Sequence, residues 1–223
     1  MPFQLAMGVA QGRVELSEAL ERMALQEKAR RIQKDHELPW SLAVQIARGH
    51  VDQEIVLRRR RQTVYAAENP TRSVLDAYQV SGAPLRVALV GGEVVEGTIV
   101  SVEPYAVMMA PAKEQEAREI HKLSMLYAHP PADWKAIKKA IKSDKKVAAL
   151  GLVPPPTPKD RYTISTSRLF RYLDTAAEVE VVLVSGDRLQ GTVGWFSRFE
   201  ISMNTKGGEV VVFRHALHEM GSV

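Results

Sequence analysis

Six lysines lie between Trp134 and Lys146, and the same thirteen residues contain one acidic side chain, Asp144. Residues 131–162 hold 8 Lys and Arg against 3 Asp and Glu, an excess of +5 in a chain whose formal net charge is +4. Closely spaced ammonium groups neutralise phosphates whatever the base sequence, so this run is a candidate contact for a polyanion, RNA being the most economical one. A solvated helix face has the same composition.

Apolar residues recur at helical spacing in this segment and predict one basic amphipathic helix over 134–150. Its apolar side carries Ile137, Ala140 and Ile141. Its candidate phosphate contacts are Lys138, Lys139 and Lys142. A membrane surface or an acidic protein would also suit a helix of this type.

Residue types that would support catalysis or metal binding are scarce. The chain contains no Cys, which excludes a thiol nucleophile, a thiolate metal site and a disulfide framework. His215 and His218 are three residues apart in a strand-like context, so they point to opposite faces and suit no shared metal. The sequence also lacks a glycine-rich phosphate loop, a nucleophile elbow and a carboxylate pair. We therefore expect a binding protein without cofactor or metal, and not an enzyme.

The composition is that of an ordinary soluble chain, with 45% hydrophobic and 25% charged residues among 223. No apolar run approaches the roughly 20 residues that cross a bilayer. The first twelve residues lack the basic and apolar regions of a secretion signal. These features predict a cytoplasmic protein without a membrane partner.

An internal repeat covers much of the chain after residue 72. At an offset of 94, residues 73–123 match residues 167–217 without a gap, and 13 of the 51 positions are identical. The identical pairs include Gly92 with Gly186, Gly97 with Gly191 and His121 with His215. A repeat of this kind predicts two copies of one small structural unit.

Each copy begins with a predicted helix, from Arg72 to Tyr78 and from Ser167 to Leu173, in which Ser73 and Ser167 stand at the N-cap. Short alternating strands follow, separated by turns such as Ser185-Gly186-Asp187. A glycine inside a strand, here Gly191, marks a bulge or a sharp bend. A helix and five bent antiparallel strands in about 55 residues predict an α+β fold of two tandem SH3-like open barrels.

Three stretches of the second copy carry a resemblance to a known family: Val181 to Gly191, Trp195 to Phe199, and Val212 to Leu217. They resemble the turn, strand and closing motifs of the bacterial Hfq branch of the Sm/LSm proteins. The resemblance covers roughly the last 55 residues, and the first copy shares it through the repeat. It implies two Sm-like units that bind single-stranded, U-rich RNA as an RNA chaperone or post-transcriptional regulator. It also implies a homo-oligomer, because family members form six-unit rings that a trimer of two-unit chains would complete.

The resemblance assigns RNA-binding roles to specific side chains. Phe199, and Tyr105 in the first copy, occupy the base-stacking position. Arg214 and His215 stand where the family binds base edges or phosphate, with Phe213 in place of a tyrosine and His121 matching His215. On a second RNA-binding face, Arg188 and Gln190 occupy family-like positions. That face is expected to bind poorly, because Val182 replaces a stacking aromatic residue.

In the gapless alignment, the first copy matches the family's RNA-binding positions less well than the second copy does. Glu119 and Ile120 fall where the closing aromatic residue and the cation should be, and an acid is unfavourable at a phosphate site. Lys122 would lie on the other side of a strand and could not substitute. This favours an alternative hypothesis, in which the protein is a structural or adaptor protein whose RNA site has decayed.

The amino-terminal region reads as helical, with Ser41 and Asp52 as candidate caps and an arginine run, Arg58–Arg61. A DNA-binding regulator that uses these helices is a further alternative. We divide the chain into a helical extension (1–68), a first Sm-like domain (69–130), a basic, Pro-containing linker (131–162) and a second Sm-like domain (163–223).

Overall fold

The computed structural model describes residues 3–111 and 116–223. The chain forms two compact units, Met1–Val64 and Tyr65–Val223. None of the helices in these described ranges combines the length and hydrophobicity that crossing a bilayer requires.

The first unit is helical. Its elements are α1 (Phe3–Ala10), α2 (Leu16–His36), α3 (Trp40–Ala47) and α4 (Gln53–Glu68), whose last residues belong to the second unit. Its core is formed by small and branched side chains, among them Ala29, Ile32, Ala43 and Ile46. The Asp52 carboxylate caps α4 as predicted, because it accepts the Ile55 N–H at 3.0 Å. The prediction for Ser41 is wrong, since α3 begins at Trp40 and Pro39 is its N-cap.

The second unit contains two sets of one helix and five strands. The first set is α5 (Val74–Ser81), β1 (Leu85–Leu89), β2 (Val94–Val102), β3 (Ala106–Pro111), β4 (Arg118–His121) and β5 (Met125–His129). The segment between the sets forms α6 (Trp134–Ala140), β6 (Lys142–Ser143) and α7 (Lys145–Ala149). The second set is α8 (Thr166–Thr175), β7 (Glu178–Leu183), β8 (Asp187–Phe196), β9 (Glu200–Thr205), β10 (Gly208–Phe213) and β11 (Leu217–Ser222).

All these strands belong to one antiparallel sheet with the order β11-β7-β8-β9-β10-β5-β1-β2-β3-β4, and β6 pairs with β8. Within each set the fifth strand lies beside the first, so the two sets have the same strand order. The sets are joined where β10 pairs with β5, with Val211 opposite Ala128 and Val212 opposite Tyr127. The two ends of the sheet are therefore β4 of the first set and β11 of the second.

The two sets share side chains across this junction. Trp195, Val211 and Phe213 of the second set pack into the core of the first. Leu126 and Tyr127 of the first set pack into the core of the second. Because each core is completed by the other set, residues 65–223 form one compact unit.

Gly97 and Gly191 occupy matching positions and allow two strands to approach closely. A Cβ on Gly97 would lie 2.1 Å from the Ala110 carbonyl oxygen, and one on Gly191 would lie 2.3 Å from that of Asn204. No other residue has space at either position. The register irregularity of β8 lies further along, between Val193 and Trp195.

Among the predicted helix ends in this unit, the cap at Ser73 is confirmed and two other predictions are wrong. Ser73 caps α5, with its hydroxyl accepting the Leu75 N–H at 3.2 Å. The matching prediction for Ser167 is wrong, because Ser165 is the N-cap of α8 and accepts the Arg168 N–H. The prediction of one helix over 134–150 is also wrong. The chain becomes extended at Ile141, and Lys142 pairs with Arg188 as a strand.

The gapless match of the two copies is wrong beyond β3. His121 lies opposite Ala106 in the first set, whereas Phe213 lies opposite the equivalent residue, Glu200, in the second. The chain between the paired residues Met109 and Arg118 is two residues longer than that between Met203 and Val210. The offset therefore falls from 94 to 92. His121 corresponds to Phe213, Lys122 to Arg214 and Leu123 to His215.

Candidate nucleic-acid interface

An aromatic side chain is exposed between the second and third strands of each set. Tyr105 lies between β2 and β3 and is 77% exposed, and Phe199 lies between β8 and β9 and is 62% exposed. The Arg198 guanidinium carbon lies 5.3 Å from the centre of the Phe199 ring. Rings this exposed are available to stack on an unpaired base.

A basic residue is fixed beside each ring by the same backbone hydrogen bond. The N–H of Arg214 donates to the Phe199 carbonyl at 2.8 Å, and the N–H of Lys122 donates to the Tyr105 carbonyl at 2.8 Å. Both cations belong to short 3-10 turns that follow the fourth strand of their set. The expectation that Lys122 lies on the other side of a strand is wrong, because the two-residue shift places it in a 3-10 turn at the position equivalent to Arg214. We call each ring and its cation a corner.

The side chain of Arg214 is largely used within the protein. Its guanidinium donates to the carbonyl oxygens of Ile164 at 2.8 Å and Ser197 at 3.0 Å, and a longer bond reaches that of Arg198. Burial lowers the pKa of Arg214. Three of its five N–H groups are therefore committed, and the residue positions the loop that presents Phe199.

His215 connects the two sets of strands. Its Nε2 lies 2.8 Å from the carbonyl oxygen of Met125, the first residue of β5. Burial lowers the pKa of His215 to about 4, against the opposing effect of this hydrogen bond, and nearby Arg161 and His121 lower it further. The imidazole is neutral at pH 7, so Nε2–H donates to Met125. The contact of His215 with base edges or phosphate stays a prediction, and in this structure its Nε2 is engaged with Met125.

Phe213 and His121 differ in exposure because of their place in the sheet. Phe213 is 3% exposed, and its ring stacks on His215 at 5.8 Å, so it has no face free for a base. Its role here is packing at the junction of β10 and β5. The equivalent His121 lies on the end strand β4 and is exposed, and its Nδ1 accepts the Leu123 N–H at 3.2 Å.

A buried carboxylate next to Phe199 is a feature that the sequence reasoning missed. Glu200 is 3% exposed and accepts hydrogen bonds from the Ser73 hydroxyl at 2.8 Å and the Val74 N–H at 2.6 Å. These bonds favour the ionised form, but desolvation outweighs them and raises the pKa of Glu200 to about 7. Asp76 raises it further and Lys122 lowers it. Its charge at this corner therefore changes near neutral pH.

Arg188 and Gln190 are both engaged with neighbouring side chains. Arg188 forms ion pairs with Glu180 and, at 3.5 Å, with Asp144 of the linker. The Gln190 amide donates to Glu180 at 2.7 Å. The segment from α6 to α7 packs along this side of β8, so the terminal nitrogens of Arg188 and the Gln190 amide are engaged inside the chain, while the buried Arg188 Nε has no partner.

The three lysines predicted to share one basic helix do not lie together. The Lys138 ammonium lies 5.8 Å from the centre of the Trp134 ring. Lys139 and Lys142 instead line a cleft with Lys135 and Lys206.

In the helical unit, the arginine run makes contacts within α4 and, through Arg60, with the end of α2. Arg60 donates to the carbonyl oxygens of His36 and Glu37 at the end of α2. Arg58 and Arg61 pair with Glu54 on α4 itself. DNA binding by these helices remains an untested prediction.

Comparisons with solved structures show a coarse similarity over part of the chain. A solved structure described as the pleiotropic translational regulator Hfq aligns with a TM-score of 0.24 and 21% identity, over 25% of this chain and 92% of that chain. No family model matches the sequence, and no curated protein matches it.

Proposed function

We propose that this chain is a binding protein and not an enzyme, built of two tandem Sm-like units that bind single-stranded RNA. The observation that carries the proposal is the pair of matched corners. In each, an exposed ring adjoins a cation fixed by the same backbone hydrogen bond, Tyr105 with Lys122 and Phe199 with Arg214.

The corners have the two components that unpaired nucleotides require. Stacking of a base on an aromatic ring is worth about 1–3 kcal/mol, and adjacent cations bind the backbone. Lys122 and Arg198 have side chains better placed for phosphate than Arg214, whose guanidinium bonds three carbonyls. We therefore assign direct contacts to Phe199, Tyr105 and Lys122, and positioning roles to Arg214 and His215. Uridine-rich RNA, as in the Hfq family, is the first ligand to test.

We further propose that three chains close a ring of six units. The pairing of β10 with β5 joins two units inside the chain. The strands at the ends of the sheet, β4 and β11, are the equivalents of β10 and β5. Pairing β4 of one copy with β11 of the next would repeat this junction and cover both sheet edges. Light scattering coupled to size exclusion should give the mass of a trimer, and a monomer would exclude the ring.

The RNA proposal is tested by fluorescence anisotropy with 12-nucleotide oligo-uridine, oligo-adenosine and duplex DNA at two salt concentrations. The double variant Phe199→Ala/Tyr105→Ala should bind oligo-uridine at least about tenfold more weakly than the wild type. Phe3→Ala is the matched control, because Phe3 is also exposed (77%) but lies in the helical unit. Equal affinity in the double variant and the wild type would refute the corner assignment.

The internal bonds of Arg214 and His215 favour one second function, that of a structural or adaptor protein in which Sm-like units mediate assembly alone. It predicts that the trimer forms but binds none of the three nucleic acids.

A further inference from the structure

A cleft of about 470 Å³ lies between α6, β6, the strands β7 and β8, and the turn that joins β9 to β10. Two alanines, Ala136 and Ala140, form part of its wall. Its polar lining consists of Lys135, Lys139, Lys142, Lys206, Glu178 and Gln190. Three of the lysines belong to the run 134–146, and the fold brings Lys206 to them from the β9–β10 turn.

The side chains that line this cleft carry an excess of positive charge. Four ammonium groups and one carboxylate line it, a net charge of +3. Within residues 3–111 and 116–223, no ion pair involves any of the four lysines, whereas the neighbouring Arg188 and Gln190 bind Glu180. A concave surface lined by one sign of charge concentrates the field and attracts ions of the opposite sign.

The walls of the cleft are held in place. Trp134, at the start of α6, stacks on His129 at 5.5 Å and lies under the Arg86 guanidinium at 4.2 Å. Ile137 is fully buried in the core. A Cβ on Gly207 would lie 2.6 Å from the Ile137 backbone, so the β9–β10 turn is seated directly against α6. The turn carries Lys206 and α6 carries two of the other lysines, so the ammonium groups converge before a ligand arrives.

We propose that this cleft is an anion site for closely spaced phosphates, as in a nucleoside triphosphate or the backbone of an RNA strand. The net charge of +3 of the cleft lining matches several phosphates better than one. Each lysine also supplies three rotatable N–H donors to phosphate oxygens. The site is separate from the corners of the proposed RNA interface and does not depend on them. It moves Lys139 and Lys142 from the predicted basic helix to a cleft, and adds Lys135 and Lys206.

The test uses isothermal titration of the full chain with inorganic tripolyphosphate, which carries no base. The variant Lys139→Ala/Lys142→Ala should bind it about tenfold more weakly than the wild type. The matched control, Lys145→Ala/Lys146→Ala, removes the same charge from the same segment outside the cleft, and should bind as the wild type does. Equal losses in the two variants, or no binding to the wild type at millimolar concentration, would overturn the proposal.

A second variant separates geometry from charge. Gly207→Ala keeps every lysine but forces the turn away from α6, so tripolyphosphate binding should fall while the circular dichroism spectrum stays that of a folded protein. Unchanged binding would contradict a preformed cleft. Parallel titrations with ATP and with oligo-uridine are each competed with tripolyphosphate. They show whether the phosphates that the cleft binds belong to a nucleotide or to an RNA strand. Phe199→Ala/Tyr105→Ala should leave tripolyphosphate binding unchanged, which keeps this result independent of the proposed RNA interface.

Discussion

Glu200 and His215 should give the stability of the sheet unit two opposing pH dependences. Burial raises the pKa of Glu200 from 4.5 to about 7 and lowers that of His215 from 6.5 to about 4. A change in pKa of this size means that folding stabilises one protonation state over the other by about 3 kcal/mol. Both residues lie at the junction of the two sets of strands.

The signs follow from which state binds the proton. Between pH 4.5 and 7, folded Glu200 keeps a proton that the unfolded chain releases, so its stabilising effect is lost as pH rises. Between pH 4 and 6.5, unfolded His215 binds a proton that the folded chain does not, so its stabilising effect grows as pH rises. The two slopes should cancel from pH 4.5 to 6.5.

Single variants should expose each slope. Relative to the wild type, Glu200→Gln should gain about 3 kcal/mol of unfolding free energy as pH rises from 4.5 to 7. His215→Asn should lose about as much between pH 4 and 6.5. The double variant lacks both groups and should run parallel to the wild type from pH 4.5 to 6.5.

The assay is urea unfolding at half-unit pH intervals, followed by tryptophan fluorescence at one protein concentration. A Trp40→Phe background leaves Trp134 and Trp195, both in the sheet unit, as the fluorescent reporters. If the single variants differ from the wild type by an amount that is constant with pH, the reasoning about burial at the junction is refuted.

Three further perturbations test other contacts. Gly191→Ala should destabilise the sheet unit by about 3 kcal/mol in urea unfolding, because its Cβ would lie 2.3 Å from the Asn204 carbonyl oxygen; a near-neutral effect would mean that the strands can separate freely. Ser73→Ala should cost about 1–2 kcal/mol in the same assay, since it removes the α5 cap and a donor to Glu200, whereas an unchanged midpoint would show that water replaces both bonds. Lys122→Ala should weaken oligo-uridine binding and reduce the salt slope by about 1, and an unchanged slope would remove Lys122 from the interface.

The sequence was sufficient for the elements that depend on local chemistry. The strands β7 and β8 follow from alternation and a Ser-Gly-Asp turn, and the cap of α5 from Ser73 alone. The need for glycine at 191 was visible, although its physical reason was not. That reason is a carbonyl oxygen of a neighbouring strand, which no local pattern encodes.

What the sequence could not supply depends on contacts between distant segments. Two coincidental identities, His121 with His215 and Leu123 with Leu217, extended a gapless alignment past a hairpin that is two residues longer in the first copy. Only strand pairing shows that Lys122 is the equivalent of Arg214. The linker kept a helical period through Ile141, but Lys142 forms a strand pair with Arg188 because the edge of β8 is open there.

The pairing of β10 with β5 inside one chain gives the two copies freedom to diverge. At this junction inside the chain, the second copy contributes Glu200 and His215. The first copy carries Ala106 and Leu123 at the equivalent positions. The equivalent junction between successive chains, β4 with β11, would therefore lack counterparts of both Glu200 and His215. In such an assembly, the pH response of Glu200 and His215 would be confined to alternate junctions, those that lie within one chain.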